Sequence, residues 1–337
     1  MSEKKRIGNT RSMLRKLALS GAIAMALIPG VSAAADAGTY PNRPINLIVA
    51  YAAGGGSDLI VRLLAHYLEI EIGNSAKIVV SNKPGAGGAI GFSELARAAP
   101  DGYTIGLINT PNVLTIPIER KSTFTWRSYD LLGNIVDDPG NFAVHANSPI
   151  KSLQELAKHA KDNPGKLSVG TTGTGSDDHL AMLLFQKIAN VKMIHVPYKG
   201  ASEVRTALAG QQIDVAAVNI GEAMQFAKSG TPLRNLGVMS VIRNELAPEV
   251  PTFKEQGYDI TLASLRGLAA PKGLPADIRA RLVAATERAI ANPEFQSKAT
   301  QVFAPLRFLA PAKYEIELRE ADAQFQKLWT DMPWTEK

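Results

Sequence analysis

Three glycine-rich segments contain the residues whose types and spacing suggest chemistry. Their sequences are AAGGGSD (Ala52–Asp58), NKPGAGGAIG (Asn82–Gly91) and GTTGTGSDDH (Gly170–His179). Each follows an apolar run typical of a strand and precedes a helical pattern. Glycines let backbone N–H groups turn inward without Cβ clashes, and a helix N-terminus adds unpaired donors and a partial positive charge. The segments therefore predict a site for a small anion, in the crevice beyond the strand ends of an open α/β sheet.

The motifs of common enzymes do not fit these segments. A dinucleotide-binding G-x-G-x-x-G would require glycine at the position of Ile90, and the sequence contains no G-x-x-x-x-G-K-[ST] phosphate loop. Ser57 and Ser176 both lack the G-x-S-x-G pattern of a nucleophile elbow. The chain has no cysteine, which excludes disulfides, thiolate zinc sites and thiol nucleophiles. We therefore expect a binding protein and not an enzyme.

Metal and acid–base chemistry also has little support in the sequence. There is no H-E-x-x-H motif, and the five histidines are scattered singly, so we expect no metal site and no cofactor. Asp177, Asp178 and His179 resemble an acid–base cluster, but capping of the following helix by the two acids is the favoured interpretation. For His195, a position at a strand end near a hinge is favoured over ligand contact.

The first 35 residues have the three-part order of a secretory signal peptide. A basic start precedes a 12-residue apolar run, Leu17–Ile28, and then the small residues VSAAADA, which predict cleavage after Ala33 or Ala35. The apolar run is too short to span a bilayer. Six of the 37 basic and one of the 31 acidic residues lie in this segment, so the remainder has a net charge of +1. We therefore expect an exported, periplasmic protein with no membrane anchor and no nucleic-acid partner.

Apolar strand patterns alternate with helical patterns through the rest of the chain. This alternation predicts an α/β fold with mainly parallel sheets flanked by helices. The turn-rich stretch Asp137–Gly140 predicts a boundary between two lobes. We expect the first lobe at residues 36–137 and 263–337, with the C-terminal helices folding back on it, and the second at residues 138–262. Hinge strands are expected near residues 138–146 and 258–266.

Several longer motifs occur together along the chain. They include YPNRPINLIVAYAAGGGSD, NKPGAGGAIG followed by PDGYTIG, HVPYKG, and GQQIDVAAVN. In this combination the chain resembles the Bordetella-uptake-gene (Bug) family of periplasmic receptors of tripartite tricarboxylate transporters. The resemblance implies a monomeric, two-lobed clamshell (a type II-like, Venus-flytrap fold). It would close on a small carboxylate, such as a di- or tricarboxylate, an aromatic acid or an amino acid, and deliver it to the membrane subunits of the transporter.

The resemblance also implies which residues bind the ligand. Family members grip a carboxylate through backbone amides and ordered waters in two first-lobe loops, which correspond to Gly54, Gly55, Gly56, Ser57 and Asp58, and to Gly85, Ala86, Gly87 and Gly88. Further candidates are polar residues near other strand ends: Asn109, Thr171, Thr172, Thr174, Ser176, His179, Tyr198 and Asn219. For Asp58 two roles stay open: a hydrogen bond to a ligand amine or hydroxyl, or capping of a helix that starts at Leu59.

The sequence departs from the family pattern in two places. Ala52, Ala53 and an extra glycine replace the usual proline before the first glycine pair, which we expect to loosen the first loop. Ile220-Gly221-Glu222 follows the strand IDVAAVN, where the family often has an acidic or polar residue and a proline. Both departures concern the recognition of the distal end of the ligand more than the grip on its carboxylate.

The sequence leaves two further questions open. The glycine-rich loops contain no arginine, but Arg205, Arg243 or Arg266 can reach the cleft from elsewhere. Two other functions also remain: an exported α/β hydrolase, and a receptor that presents its ligand to a membrane sensor kinase.

Overall fold

The apolar runs between the glycine-rich segments form the strands of one mixed sheet, and the helical patterns form the helices that cover it. The computed structural model describes residues 40–335, all of which belong to one compact unit. The predicted signal peptide at residues 1–35 lies outside the described residues.

Strands and helices alternate along the described chain. The strands are β1 (Ile45–Val49), β2 (Ile78–Asn82), β3 (Thr104–Asn109), β4 (Tyr129–His145), β5 (Ser168–Thr171), β6 (Ile194–Pro197), β7 (Val215–Asn219), β8 (Leu233–Val238), β9 (Ala263–Pro271) and β10 (Leu306–Leu309). The helices are α1 (Gly56–Ile72), α2 (Ala89–Arg97), α3 (Asn112–Glu119), α4 (Leu153–Asp162), α5 (Asp177–Ala189), α6 (Ala201–Ala209), α7 (Ile220–Lys228), α8 (Ala276–Ala291), α9 (Pro293–Gln301) and α10 (Pro311–Asp331).

The sheet consists of two strand groups that share β4. Its order is β2-β1-β3-β9-β4-β7-β5-β6, and β8 and β10 also pair with β4. In the first group β1 is parallel to β2 and β3. In the second group β5 is parallel to β6 and β7. The antiparallel strands β9 and β4 join these parallel sets, so the predicted α/β class is confirmed.

The long strand β4 includes the turn-rich stretch Asp137–Gly140. Residues Tyr129–Pro139 pair with β9, and residues Gly140–Val144 pair with β7. The stretch Asp137–Gly140 therefore lies within one continuous strand, and the lobe boundary expected there stays a prediction. These turn-type residues occupy the point where the partner strand changes, and hydrogen bonds such as Gly140 N to Leu262 O (2.9 Å) hold the backbone extended.

Separate hydrophobic cores underlie the two strand groups. The core beneath β1 and β3 includes Ile278 and Leu282 of α8, Phe295 of α9 and Tyr314 of α10. The C-terminal helices therefore fold back on the first group, as the sequence predicted. The main core of the second group includes Phe142, Phe185 and Phe253. The residue boundaries given above for the two lobes stay a prediction.

None of the helices within residues 40–335 is both long enough and apolar enough to cross a membrane.

Candidate functional site

Loops from both strand groups meet around one small cavity. It measures about 20 Å³, which is room for about one water-sized group. We call it the central cavity. It is lined by Tyr51, Gly55, Gly56, Ser57, Asn109, Asn112, Thr172, Asp177, Ala201, Asn219, Glu222, Ser264 and Arg266. These residues come from both groups, so the cavity lies where the groups face one another.

A second space, which we call the side groove, lies beside the glycine loops. It measures about 410 Å³. It is lined by Ala86, Gly87, Arg120, Gly173, Thr174, Pro197, Tyr198 and Lys199.

The facing loops contact each other directly. Ala52 N donates a hydrogen bond to Lys199 O (3.3 Å), and Thr115 Oγ1 donates to Gly175 O (2.7 Å). The backbones of Gly87 and Gly173 approach so closely that a Cβ on Gly173 would lie 2.9 Å from Gly87 Cα. The two groups are therefore closed on one another.

The first glycine loop is held from within by Asp58. Its Oδ2 accepts a hydrogen bond from Gly54 N (2.9 Å), and its Oδ1 accepts one from Asn82 Nδ2 (2.9 Å). Burial opposes the negative charge, but hydrogen bonds from Arg62 and Gly54 lower the pKa of the carboxyl. Helix α1 begins at Gly56 with no side-chain cap, so the predicted cap by Asp58 at Leu59 is wrong. Whether Asp58 also contacts a ligand stays a prediction.

The extra glycine of this loop has a steric role. A Cβ on Gly56 would lie 2.5 Å from Arg266 Nη1 and 2.8 Å from Glu222 Oε1. Glycine at this position therefore lets a buried ion pair approach the first turn of α1. Gly56, the third glycine of the first loop, therefore has a packing role that the sequence alone did not indicate.

That ion pair belongs to a buried charged cluster at the edge of the central cavity. Arg266 Nη2 donates to Asn219 Oδ1 (2.8 Å) and to Glu222 Oε1 (3.2 Å), and lies 3.3 Å from Asp138 Oδ2. Asn219 Nδ2 in turn donates to Asp177 Oδ2 (2.6 Å). Although burial opposes the positive charge, Glu222 and Asp138 raise the pKa of Arg266. The guanidinium of β9 thereby connects the first group to α7 of the second.

Carboxyl groups outnumber cations in this region. Asp138, Asp177, Asp178 and Glu222, which we call the acidic cluster, are all buried. Burial raises the pKa of Asp138 to about 7 and that of Asp177 to about 6. Burial and the charge of Asp177 raise the pKa of Asp178 well above its usual value. Burial therefore makes Asp138, Asp177 and Asp178 easier to protonate than carboxyls on the surface.

The N-terminus of α5 is capped by a serine and not by the two acids. Ser176 Oγ accepts a hydrogen bond from His179 N (3.2 Å). The predicted capping by Asp177 and Asp178 is therefore wrong. Asp178 instead accepts hydrogen bonds from the backbone and hydroxyl of Thr172, because its side chain turns back to the preceding loop.

His179 and His195 form a stacked pair. Their ring centroids lie 3.9 Å apart with an interplanar angle of 9°. Gly175 N donates to His179 Nδ1 (3.1 Å), and burial lowers the pKa of His179 to about 3. His195 lies within β6, at the end of the strand order. Its predicted position near the hinge stays a prediction.

The predicted binding residues fall into three sets by position. Those that line the central cavity are Gly55, Gly56, Ser57, Asn109, Thr172 and Asn219. Those that line the side groove are Ala86, Gly87, Thr174 and Tyr198. Those outside both linings are Gly54, Asp58, Gly85, Gly88, Thr171, Ser176 and His179.

Several residues that line the central cavity are not among the binding residues expected from the sequence. For Asp177 the sequence favours a helix-capping role over an acid–base role, and Glu222 stands out only as part of a departure from the family pattern. For the other two residues, only their positions in the sequence pointed to the site. Tyr51 lies at a strand end, and Ser264 lies within a predicted hinge strand. Of the three arginines considered, Arg266 lines the cavity, whereas Arg243 pairs with Glu255. Within residues 40–335, no group of three or more metal-ligating side chains is arranged to hold a metal ion.

Comparisons with known proteins agree with this architecture. Residues 60–305 match the model of the TctC family, described as the tripartite tricarboxylate transporter family receptor. A UPF0065 protein in the gbd 5′ region of Cupriavidus necator is 34% identical over 289 residues, which cover 85% of this chain and 86% of the relative.

Two solved structures share the fold. The periplasmic binding protein BugD has a TM-score of 0.82 and 30% identity, covering 88% of this chain and all of its own. MatC from Rhodopseudomonas palustris with bound malate has a TM-score of 0.78 and 24% identity, covering 86% and 99%. By sequence and by structure, the chain belongs to the TctC (Bug) family of periplasmic solute-binding receptors.

Proposed function

We propose that this receptor captures a small carboxylate between its two lobes and delivers it to the membrane subunits of a tripartite tricarboxylate transporter. The observation that carries the proposal is the meeting of glycine-rich loops from both strand groups around one cavity. In this proposal the N-terminal segment directs export to the periplasm, the mature protein is monomeric, and it binds without turning over its ligand.

The chemistry of the loops suits a carboxylate. Gly54, Gly85, Gly87 and Gly88 have φ values of +80°, +131°, +67° and +99°, which glycine adopts without strain. Two of these amides hold the loops in shape, because Gly54 N donates to Asp58 Oδ2 and Gly88 N donates to Gly85 O. Burial of an anion requires several well-aligned donors. Asn112 supplies a further donor, because its buried Nδ2 lacks a hydrogen-bond partner and the residue lines the cavity.

The closed contacts support a clamshell mechanism. A ligand that touches both lobes only when they are closed stabilises closure. The surface formed on closure would then be recognised by the membrane subunits. MatC, which has the same fold, carries malate, and this neighbour supports a carboxylate as the ligand here.

The hydrolase alternative finds no support at the two candidate serines. Ser176 Oγ is occupied as a helix cap, and Ser57 Oγ accepts a hydrogen bond from Asn109 Nδ2 (3.1 Å). Neither hydroxyl pairs with a histidine side chain in these interactions, as a nucleophile requires.

Calorimetric titration of the purified protein with carboxylates tests the proposal. The panel is succinate, L-malate, citrate, benzoate and L-glutamate, and we expect at least one to bind with 1:1 stoichiometry. Gly87→Val should abolish that binding, because a Cβ there would lie 3.0 Å from Thr174 O and 3.2 Å from Asn112 Nδ2.

Gly165→Val is the matched control. Gly165 has nearly the same φ, +66°, but nothing lies within 4 Å of its Cβ position. Both variants therefore carry the same backbone strain, and only the first alters the loop contacts. Absence of heat with every member of the panel would contradict the proposal, as would equal loss of binding in both variants.

A further inference from the structure

The acidic cluster has more negative groups than the protein neutralises. It has four carboxyls and one guanidinium, and only Asp138 and Glu222 pair directly with that guanidinium. All five groups are at least nine-tenths buried. Arg266 Nη2 donates hydrogen bonds to Asn219 and Glu222 and forms an ion pair with Asp138. Among the described residues that line the central cavity, it is the only arginine or lysine. The full set of carboxylates would therefore leave an uncompensated negative charge at the cavity wall, which is costly in a buried site.

Two members of the cluster face the cavity itself. Asp177 and Glu222 are 4% and 6% exposed, and both line it. They lie on the first turns of α5 and α7 in the second strand group. Glu222 already accepts hydrogen bonds from Arg266 and Asn219 N, and Asp177 accepts one from Asn219 Nδ2. A carboxylate has about four lone-pair sites, so both groups can accept a further bond from a ligand group that enters from the first-lobe loops.

An independent observation comes from the opposite wall. Asn109, 4% exposed, donates its Nδ2 to Ser57 Oγ, but its Oδ1 lacks any hydrogen-bond donor. It lines the same cavity from the end of β3. A buried acceptor without a donor is rare and costly, and here it lies in a cavity that also contains two carboxyls. The cavity walls thus provide hydrogen-bond acceptors from both strand groups. The ligand group that fits them best is a hydrogen-bond donor with a positive charge.

We propose that Asp177, Glu222 and Asn109 form a subsite for a cationic nitrogen, so that the ligand is a zwitterion with both a carboxylate and an ammonium group. An ammonium group has three N–H donors, which match acceptors on three side chains, and its size suits a cavity of about 20 Å³. A carboxylate placed at this position in place of the ammonium group would meet Asp177 and Glu222 and be repelled. This inference rests on the proposed carboxylate receptor and narrows its ligand class.

The elevated pKa values of the carboxyls agree with this assignment. Burial raises the pKa of Asp177 to about 6 and that of Asp138 to about 7. An ammonium group bound beside these carboxyls would favour their ionised form. The ammonium group of the ligand would thus supply positive charge that balances these carboxylates and that the protein itself does not provide.

Matched probes that differ at one carbon test the inference by calorimetry at pH 7.5. The first set is succinate, L-malate and L-aspartate, which carry hydrogen, hydroxyl and ammonium at the same position. Glutarate with L-glutamate, and 3-phenylpropanoate with L-phenylalanine, extend the test to other sizes. We expect the ammonium member of at least one set to bind at least about tenfold more tightly than its counterparts, the effect of one charge-assisted hydrogen bond.

The same titrations in variants assign the preference to the subsite. Asp177→Asn and Glu222→Gln should each reduce the preference for the ammonium member over its counterparts at least about fivefold. Asp162→Asn removes a charge from an exposed surface position and should leave the preference intact. Melting curves confirm that each variant is folded, and if one cavity variant does not fold, the other provides the comparison.

The outcomes separate the two proposals. If the members without nitrogen bind as tightly as the ammonium members in every set that binds, the subsite is overturned while the carboxylate receptor stands. Unchanged preference in the folded variants also overturns the subsite. If no member of any set binds, the carboxylate receptor itself is contradicted, and the subsite falls with it.

Discussion

At the scale of single residues, the acidic cluster is the most unusual feature of the molecule. Arg266 and its carboxyl partners are buried almost completely, and such pairs are strongly destabilised when one partner is removed. Asp177 differs from the ion pair, because the hydrogen bond that it accepts from Asn219 comes from a neutral donor. Its charge state should therefore respond to pH.

The stability of the protein should reveal the titration of Asp177. The folded state raises its pKa from 3.8 to about 6, so between these pH values the folded state holds more protons than the unfolded state. Stability due to this group is then highest at low pH and is lost as pH rises toward 6. The difference in unfolding free energy between wild type and Asp177→Asn should shift by about 2 kcal/mol against wild type from pH 4 to pH 7.

Urea unfolding of both proteins across this pH range measures the shift. Titratable groups on the surrounding elements interact with Asp177 and influence this shift. They are Tyr51, Asp138, Asp178, Glu222 and Arg266. Asp162→Asn is the control, because hydrogen bonding to Lys158 lowers the pKa of that exposed carboxyl and the trend has the opposite sign. A difference between wild type and Asp177→Asn that does not vary with pH would contradict the prediction.

At the scale of elements, helix N-termini position the loops around the cavity. Helices α1, α5, α6 and α7 all begin within or next to its lining. In α5 the terminus is fixed by the buried Ser176, which frees the following two acids for other contacts. A serine cap therefore determines where the carboxyl of Asp177 lies.

Removal of this cap should destabilise the fold. Ser176→Ala leaves His179 N without its acceptor, and loss of such a cap costs about 1 kcal/mol. Ser202→Ala, within α6, is the comparison and should change stability by less than about 0.5 kcal/mol. Urea unfolding measures both, and equal stability of Ser176→Ala and wild type would show that the cap contributes nothing.

At the scale of the whole molecule, closure depends on close approach across the cavity. Gly56 in the first strand group leaves room for Glu222 of α7 and for its partner Arg266. A larger side chain there would push the second group away. The closed arrangement and the absence of a side chain at residue 56 are thus linked.

Gly56→Val should shift the unliganded protein toward an open arrangement. Small-angle X-ray scattering should give a radius of gyration larger than that of wild type, for which the size of the chain suggests about 19 Å when compact. Ala227→Val adds similar bulk at an exposed position of α7 and should leave the radius unchanged. An unchanged radius in Gly56→Val would mean that the cluster adjusts without opening.

Much of the fold follows from local sequence patterns. The strands that lead into the three glycine segments, and the helices that follow them, form where their periodicity predicts, because backbone conformation depends mainly on nearby residues. The stretch Asp137–Gly140 is the counterexample. Its residues favour a turn, but pairing with β9 and β7 on successive parts of one strand outweighs that preference.

By itself, the sequence determined the glycine loops, the strand and helix order, and the family. The tertiary structure alone decided which charges surround the cavity. Asp138, Asp177, Glu222 and Arg266 come from four elements, and no local pattern encodes their contacts. Their ionisation also depends on burial and on distances of a few ångströms between charges, and these quantities exist only once the chain has folded.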